Sequence, residues 1–442
     1  MTSPEKKARK ISADDAAAMV KSGDWVDYGF GLGQPDVFDA ALAARRQALR
    51  DVKIRAALTV RPRATLEADL NCEAFGMLNW HFSGYDRRKH DAGQCGYIPM
   101  NFGETPDLYR RFIEPVDVAC VRCCPIDADG NFNFGPAASY QKAMTERAKI
   151  VIIEVCPQMP YVFGPENSIH SSRVDFVIDG DGRPMVEVPN PPISDIDRAI
   201  ARHVVGELED GACLQVGIGG TPNAVCSMIA GSGAKDLGVH SEMFVDGIID
   251  LYEAGLITGA RKSIDKGKMA FTFALGTKRQ YDAIDRNPAA IGHPVDYTNL
   301  PHNIMRNDKV FSINSTTQID LQGQASSETD GFRHLTGTGG QLQFVRGAYA
   351  SKGGKSFICL PSTYDKRGKP QSRVVCGLTA GAVVTTPRTD TMYVATEYGM
   401  VNLKGKSVAE RAKAMISIAH PDFREALERE ARENNILPRW FR

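Results

Sequence analysis

Short apolar runs alternate along the chain with stretches in which apolar residues recur at helical spacing. Runs such as residues 52–60 and 150–155 have the length and β-branched content of buried strands. Stretches such as residues 12–22 and 195–210 have apolar positions at helical spacing and open on Ser or Asp, which are favoured helix N-caps. Because strands and helices alternate in this way, the pattern predicts an α/β protein with mostly parallel sheets.

Residues 182–195 are rich in glycine and proline and separate two halves that show the same alternation. We therefore predict two related open-sheet domains, residues 1–188 and 189–442. Residues 75–111 interrupt the alternation and are predicted to form a long, aromatic-rich loop with one short helix. The basic run from Arg87 to His90 within them is interpreted as a solvated turn.

The stretch from Leu237 to Gly259, LGVHSEMFVDGIIDLYEAGLITG, runs from a short apolar strand end into an amphipathic helix. Glu242 lies at that junction and is predicted to occupy the first helical turn, where a negative charge is favoured. Open α/β sheets bind ligands at the ends of their strands. Glu242 is therefore either an ordinary charge at a helix N-terminus or a nucleophile.

A second predicted strand, turn and helix precede it in CLQVGIGGTPNAVCSMI. Gly217, Gly219 and Gly220 form the predicted turn, Thr221 is the predicted N-cap, and Pro222 fits the first helical position. Such a turn gathers free backbone N–H groups at a helix N-terminus, which can bind phosphate or stabilise an oxyanion. A βαβ crossover would bring this turn and Glu242 to one edge of the sheet.

Composition narrows the functional classes. The 442 residues are 43% hydrophobic and 24% charged, and 53 basic residues balance 53 acidic ones, so no net field favours nucleic acid or an anionic membrane. No apolar run is long enough to span a membrane, and residues 1–10 lack the apolar part of an export signal. We predict a loose N-terminus and a cytoplasmic protein.

Ten cysteines lie mostly in apolar contexts, which indicates buried, reduced thiols. Cys120 and Cys123 match C-x-x-C, but no second pair of ligands follows nearby. We therefore predict no metal site.

Eight segments, taken in order, resemble the acetyl-CoA hydrolase/transferase family of class I coenzyme A transferases, and most closely its 4-hydroxybutyrate and butyrate CoA-transferases. The segments are GIGGTPNAV, LGVHSEMFVDGIIDLYEAG, SIDKGKMAFTFALGTKRQYD, PVDYTNLP, TGTGGQLQFVRGA, SKGGKS, ATEYGMVNLKGKS and AERAKAMISIAHPDFREAL. The resemblance extends from about Val26 to Leu427 and is densest after residue 210.

The resemblance implies two open, mostly parallel-sheet domains of the CoA-transferase type in a homodimer or larger assembly. It implies that Glu242 is the nucleophile, that Gly340 supplies an oxyanion-hole amide, and that Asn299 lies in a polar active-site loop. The residues implied to bind CoA are Gly217, Ile218, Gly219, Gly220, Thr221 and Lys352. The candidate acyl-pocket residues are Phe30, Gln34, Asn314 and residues 101–104. Phe30, Gln34 and residues 101–104 differ from many members, which leaves the acyl group open.

The implied reaction moves CoA from a short-chain acyl-CoA (4-hydroxybutyryl-, butyryl- or acetyl-CoA) to a carboxylate such as acetate. It is a ping-pong reaction through an acyl-glutamyl anhydride and a glutamyl-CoA thioester. CoA is a substrate, and no metal, flavin or nicotinamide cofactor is implied. Two alternatives stay open: an acyl-CoA hydrolase that uses the same glutamate, and a non-catalytic CoA-binding protein.

Overall fold

The computed structural model describes residues 8–441. The chain forms two compact units: unit 1 comprises Met1–Val188 with Ala270–Thr298, and unit 2 comprises Pro189–Met269 with Asn299–Arg442. The first break between them falls at the residue where the sequence predicts a domain boundary. Residues 270–298 also belong to unit 1, which the sequence does not predict. The division into domains 1–188 and 189–442 stays a prediction.

The strands are short and mostly span three to seven residues. In chain order they are β1 (Arg9–Lys10), β2 (Trp25–Phe30), β3 (Val52–Ala57), β4 (Phe75–Asn79), β5 (Cys95–Tyr97), β6 (Val118–Cys123), β7 (Asn131–Asn133), β8 (Ile150–Val155), β9 (Ser168–His170), β10 (Phe176–Asp179), β11 (Cys213–Val216), β12 (Gly238–Phe244), β13 (Met269–Ala274), β14 (Ala290–Gly292), β15 (Val310–Ser315), β16 (Gln318–Asp320), β17 (Ala325–Ser326), β18 (Thr329–Asp330), β19 (Arg333–His334), β20 (Lys355–Cys359), β21 (Thr363–Lys366), β22 (Lys369–Ser372), β23 (Val374–Val375), β24 (Tyr393–Thr396) and β25 (Gly399–Asn402).

Helices separate most of these strands. In chain order they are α1 (Ala13–Ala18), α2 (Val37–Ala44), α3 (Ala64–Ala68), α4 (Gly84–Asp91), α5 (Thr105–Arg111), α6 (Gln141–Arg147), α7 (Asp195–Val205), α8 (Gly220–Ile229), α9 (Asp246–Glu253), α10 (Lys278–Ile284), α11 (Val295–Asn299), α12 (Pro301–Ile304), α13 (Gln341–Ala350), α14 (Val408–Ile418) and α15 (Pro421–Glu433).

Unit 1 is built on an eight-stranded parallel sheet in the order β1-β10-β8-β6-β2-β3-β4-β5. Every residue of the central strand β6 is buried, as expected for a parallel sheet that is covered on both faces. Phe38 and Leu42 of α2 belong to the same buried cluster as Val26 and Ile54 of the sheet. The sheet and its helices therefore share one core.

Glu154 of β8 fixes the start of α2. Its fully buried carboxylate accepts hydrogen bonds from the backbone N–H groups of Asp36 (3.0 Å), Val37 (2.9 Å) and Phe38 (3.0 Å). These are donors that a helix leaves without intrahelical partners at its N-terminus. A side chain from the sheet thus caps a helix that lacks a side-chain cap of its own.

Glu154→Gln is expected to lower the free energy of unfolding by about 1–3 kcal/mol, because the amide NH2 of glutamine would face backbone donors. The urea midpoint measures the loss, and hydrogen exchange at Val37 and Phe38 shows where it arises. Glu73→Gln is the matched control, because Glu73 is exposed and lies 4.0 Å from Arg46, a surface pair of little value. Unchanged exchange at the start of α2 in Glu154→Gln would contradict this account.

In unit 2 the strands run in the order β12-β11-β15-β20-β24-β25. The neighbouring pairs are parallel except for the antiparallel pair β24–β25. Met415 of α14 and Leu427 of α15 pack in one buried cluster with Ile358 and Val394 of the sheet. The predicted α/β class with mostly parallel sheets is confirmed in both units.

Residues 75–111 are more regular than predicted. They contain β4, α4, β5 and α5, so the prediction of a long loop with one short helix is wrong. The basic run from Arg87 to His90 lies in α4 and is not a solvated turn. Lys89 is 9% exposed and its Nζ lies 3.0 Å from Glu67 Oε1. The ion pair and the cap that Ser83 provides for α4 account for the helix, and a charge run alone does not reveal either feature.

The N-terminus, residues 1–10, is predicted to be loose. Residues 1–7 of it lie outside the described residues. Arg9 and Lys10 form β1 and pair with β10, so the prediction is wrong there. Nine of the ten cysteines are buried, as predicted, and Cys72 is exposed. Within residues 8–441, no helix has both the length and the apolar character to cross a bilayer, and no three His, Cys, Asp or Glu side chains are grouped as a metal would require.

Candidate active site

Glu242 lies in strand β12, two residues before its end, and not in a helix as predicted. The following helix, α9, begins only at Asp246. Phe244 and Val245, whose spacing suggested a helix, are instead buried at the end of the strand and in the connection to α9. The helix-terminus explanation for Glu242 is therefore wrong, because Glu242 lies in a strand and outside the first turn of α9.

The sheet register brings the predicted glycine turn to the same edge as Glu242. Strand β11 pairs with β12 in parallel, with Leu214 opposite Val239, and continuing this register places Gly217 opposite Glu242. The connection from β11 through α8 to β12 is the crossover that the sequence predicts. On the other side of β11, Val216 pairs with Ile313 of β15, so Asn314 also reaches this edge.

Two groups hold the Glu242 carboxylate. Asn299 Nδ2 donates a hydrogen bond to Glu242 Oε2 at 2.5 Å, and the backbone N–H of Gly340 donates to the same carboxylate. Asn299 is fully buried at the end of α11, and not in a polar loop as predicted. Gly340 immediately precedes α13. A Cβ atom on Gly340 would lie 2.3 Å from Glu242 Oε2 and 2.3 Å from Asn299 Nδ2, so the site requires glycine there.

Burial raises the pKa of Glu242 to about 7, although the hydrogen bonds from Asn299 and Gly340 act in the opposite direction. A glutamate with this pKa is partly ionised at neutral pH and is a stronger nucleophile than an ordinary carboxylate. Its carboxylate is already oriented by two donors. The arrangement can therefore attack an electrophilic carbonyl carbon without a separate base.

The pH dependence of kcat/KM is expected to follow the ionisation of Glu242. Activity should fall as the pH drops through about 7, because the protonated carboxyl cannot attack. Asn299→Ala removes a hydrogen bond that lowers the pKa, so its acidic limb should lie at a higher pH than that of the wild type. Initial rates between about pH 5.5 and 9 measure the acidic limb of the wild type and that of Asn299→Ala. A kcat/KM that stays unchanged down to about pH 5.5, as an ordinary glutamate pKa of about 4.3 would give, would contradict the assignment.

Glu328 holds the turn that carries Gly340, and sequence analysis did not identify it. Its Oε2 accepts from Thr338 Oγ1 at 3.0 Å, and its backbone carbonyl accepts from Leu335 N (2.7 Å) and Thr336 N (3.3 Å). Its Oε1 accepts from Thr385 Oγ1 at 2.8 Å. A glutamate among serine and threonine residues carries no sequence signal for this role, because its partners lie in distant turns.

The glycine turn after β11 differs from its prediction at the helix start. Gly219, with φ of +132°, is the N-cap of α8, and Thr221 lies inside the helix. Thr221 Oγ1 donates to Asp197 Oδ1 at 2.6 Å. A Cβ atom on Gly220 would lie 2.5 Å from Asp197 Oδ2, so a carboxylate already lies against the first turn of α8. This negative charge disfavours the phosphate that the sequence suggested for this turn.

The structure does not bring Lys352 to this edge. Lys352 is exposed and precedes β20, and its carbonyl accepts from the backbone N–H of Lys309, which precedes β15. Because β15, β20 and β11 are parallel, Lys352 lies at the amino ends of the strands, opposite the edge that carries Glu242. Its implied contact with a CoA phosphate therefore has no support from the position of the side chain.

Asn314 is partly buried, and its amide is engaged within the sheet. Its Nδ2 donates to Ser312 Oγ at 2.9 Å and lies 3.4 Å from Gln215 Oε1. Ile218, implied to bind CoA, is 50% exposed at the tip of the glycine turn. Ile218 is thus accessible to a ligand, whereas the polar group of Asn314 is partly used by its neighbours.

Phe30 and Gln34 belong to unit 1, where Phe30 is the last residue of β2 and Gln34 follows four residues later. Phe30 is 3% exposed and stacks on Phe102 with ring centroids 5.1 Å apart, and its ring lies 4.8 Å from that of Phe273. Gln34 is also buried and donates from Nε2 to the carbonyl of Ala57 at 2.9 Å. Phe30 thus belongs to a cluster of aromatic rings, whereas the Gln34 amide is bonded to the backbone. The role of both residues in an acyl pocket stays a prediction.

Comparison with known protein families assigns both halves of the chain. Residues 3–189 match the acetyl-CoA hydrolase/transferase N-terminal domain, and residues 276–431 match the acetyl-CoA hydrolase/transferase C-terminal domain. Together the two matches cover well over half of the chain.

Individual relatives match over nearly the full length. A protein of Syntrophomonas wolfei named "Probable butyrate:acetyl-CoA coenzyme A-transferase" is 47% identical over 98% of this chain and 97% of its own. A butyryl-CoA:acetate CoA-transferase of Anaerostipes caccae is 44% identical over 99% of each chain. A 4-hydroxybutyrate coenzyme A transferase of Clostridium kluyveri is 43% identical over 78% of this chain and 80% of its own.

The crystal structure of RipA from Yersinia pestis has the same fold, with a TM-score of 0.89 and 35% identity over 97% of this chain and 98% of RipA. The names of the three sequence relatives are those of CoA-transferring enzymes, so the alternative of a non-catalytic CoA-binding protein is set aside. The resemblance to butyrate and 4-hydroxybutyrate CoA-transferases is confirmed. The chain is therefore a CoA-transferase and belongs to the acetyl-CoA hydrolase/transferase family.

Proposed function

We propose that the protein transfers coenzyme A between a short-chain acyl-CoA and a carboxylate acceptor such as acetate, with Glu242 as the covalent nucleophile. The observation that carries the proposal is the carboxylate of Glu242, held at a sheet edge by Asn299 and the Gly340 amide with its pKa raised to about 7. Butyryl-, 4-hydroxybutyryl- and acetyl-CoA are the proposed donors, because the relatives' names contain these acyl groups or their acids.

In the first step, an oxygen of Glu242 attacks the thioester carbonyl carbon of the acyl-CoA. The C–S bond breaks, CoA leaves as a thiolate, and an acyl-glutamyl anhydride forms. The thiolate then attacks the glutamyl carbonyl carbon, which releases the fatty acid as its carboxylate and leaves a glutamyl-CoA thioester. An incoming carboxylate reverses both steps, forms the new acyl-CoA and restores the Glu242 carboxylate.

Each attack places negative charge on a carbonyl oxygen. Asn299 Nδ2 and the Gly340 N–H already point at the Glu242 carboxyl group, so they are the proposed donors to the oxyanion when the glutamyl carbon becomes tetrahedral. One such donor contributes about 3 kcal/mol in comparable sites. The same two groups thus orient the nucleophile before the reaction and stabilise charge during it.

Hydrolysis is the competing outcome, because water that attacks either intermediate releases the acid and free CoA. The test is incubation with butyryl-CoA in the presence and absence of acetate, with acyl-CoA products separated by chromatography and free thiol measured in parallel. Transfer predicts acetyl-CoA in amounts equal to the butyryl-CoA consumed, with little free thiol. Release of free thiol at the same rate with and without acetate would instead identify a hydrolase.

The proposed enzyme uses CoA as a substrate and needs no metal or other cofactor. We also propose a cytoplasmic homodimer or larger assembly. Light scattering coupled to size-exclusion chromatography tests the assembly, and activity after exhaustive chelation tests the metal requirement. A monomer would contradict the proposed assembly, and loss of activity on chelation would contradict the proposal that no metal is needed.

A further inference from the structure

Asn223 carries a buried amide group with an unused donor. It lies in the first turns of α8 and is 9% exposed, and its Nδ2 has no hydrogen-bond partner among residues 8–441. Buried polar groups are almost always paired, because an unpaired one loses its hydration without compensation. The unpaired amide at the start of α8 is therefore a donor that a bound group can satisfy.

The position of Asn223 places it over the glycine turn. Asn223 is in the first turn of α8, and helical side chains lean toward the helix N-terminus, so we infer that it is directed toward the glycine turn. On the same helix face, Cys226 packs against α9, since a Cβ atom on Gly247 would lie 2.6 Å from Cys226 Cβ. Asn223 thus lies on the side of α8 that faces α9, the helix that follows the strand of Glu242.

Space and charge define what can bind at this turn. A Cβ atom on Gly217 would meet nothing within 4 Å, so the turn borders open space. Asp197 lies against the other side of the helix start, where Thr221 donates to it. Although burial opposes it, hydrogen bonds from Ser194 and Thr221 keep the pKa of Asp197 below its usual value. A fixed carboxylate disfavours an anion, so among the groups of an acyl-CoA the neutral ones suit this turn better than the phosphates.

We propose that Asn223 binds a neutral secondary amide of the substrate, with its side-chain amide pairing with the C=O and N–H of that group. Coenzyme A carries two such amides in the pantetheine arm between its thiol and its pyrophosphate. The inference rests on the proposed function, and it assigns the glycine turn to this arm and not to the phosphates. Asn223 is then a substrate-binding residue that also sets the distance from the thioester to Glu242.

The experiment compares butyryl-CoA with butyryl-pantetheine, which keeps both amides and lacks the nucleotide and its phosphates. Asn223→Leu should lower kcat/KM for both donors by the same factor, about tenfold, because the lost contact is common to them. The melting temperature of the free protein should stay the same or rise, because an unpaired buried amide is replaced by an apolar group. Ser227→Leu, at an exposed position of the same helix, is the matched control and should change neither quantity.

Three results would overturn the inference: unchanged kcat/KM for both donors, a loss confined to butyryl-CoA, or a lower melting temperature that reveals a structural role for Asn223. A wild-type protein that transfers no CoA would contradict the proposed function instead. In that case, calorimetric titration of the wild type and Asn223→Leu with pantetheine decides the inference separately, since weaker binding by the variant supports it and equal binding overturns it.

Discussion

Glu242→Gln is expected to reduce CoA transfer by at least about 10⁴-fold, the loss typical of removing a covalent nucleophile. Glutamine has nearly the same shape and can still accept a hydrogen bond, but its amide is not a nucleophile at a thioester. The variant should still bind acyl-CoA, because its other contacts remain. Initial transfer rates together with calorimetric titration with CoA measure the two properties separately.

The folding stability of Glu242→Gln shows whether its loss of CoA transfer is caused by misfolding. Because burial raises the pKa of Glu242 from 4.5 to about 7, ionisation of this group destabilises the fold above that pH by up to about 3 kcal/mol. Glu242→Gln should therefore be more stable than the wild type at pH 8, and its advantage should disappear as the pH falls from about 7 to 4.5. Glu242→Asp, too short to keep both contacts, should also lose transfer. Substantial transfer by Glu242→Gln would contradict the assignment.

Gly340→Ala is expected to reduce kcat by about 10²- to 10³-fold, the cost of one misplaced donor at a developing oxyanion. The added methyl group would lie 2.3 Å from both Glu242 Oε2 and Asn299 Nδ2, so one or both must move. Both atoms are at the ends of side chains, and the protein should therefore still fold. The effect is expected in kcat more than in KM, because the disturbed contacts surround the reacting carbon.

Gly377→Ala is the matched control, because a Cβ atom there would meet nothing within 4 Å and its φ is not in the left-handed region. It should leave kcat and the melting temperature unchanged. Equal activity of Gly340→Ala and the wild type would show that the close approach of Gly340 to the carboxylate is not required. A large drop in melting temperature for Gly340→Ala would point to a structural cause.

The alternation of strands and helices predicts the α/β class because buried parallel strands are almost continuously apolar, as in β6. The pattern fails where tertiary contacts decide the structure. Strand β12 runs on to Phe244 and therefore contains Glu242, whereas the apolar residues of 237–239 suggest a strand that ends earlier. Helix α4 combines a local cap, which the sequence from Ser83 to Asp86 carries, with the Lys89–Glu67 pair, which only the folded chain forms.

The candidate site was predictable in part. The local pattern indicates the glycine turn and its crossover to the strand of Glu242. It places Glu242 itself in a helix, and only the family resemblance assigns it the role of nucleophile. The contacts of Asn299 and Gly340 with Glu242 join residues 57 and 98 positions away, so no local pattern reveals them. Glu328 and Asp197 act through side chains that only the folded chain brings to these turns.

The most direct test of the central claim is chemical trapping of the covalent intermediate on Glu242. The protein is incubated with butyryl-CoA, reduced with borohydride and digested, and the peptide that contains Glu242 is analysed by mass spectrometry. The account predicts that the side chain at residue 242 is reduced to an alcohol only when butyryl-CoA is present, as a glutamyl thioester requires. An unmodified residue 242 in protein that is actively transferring CoA would contradict it.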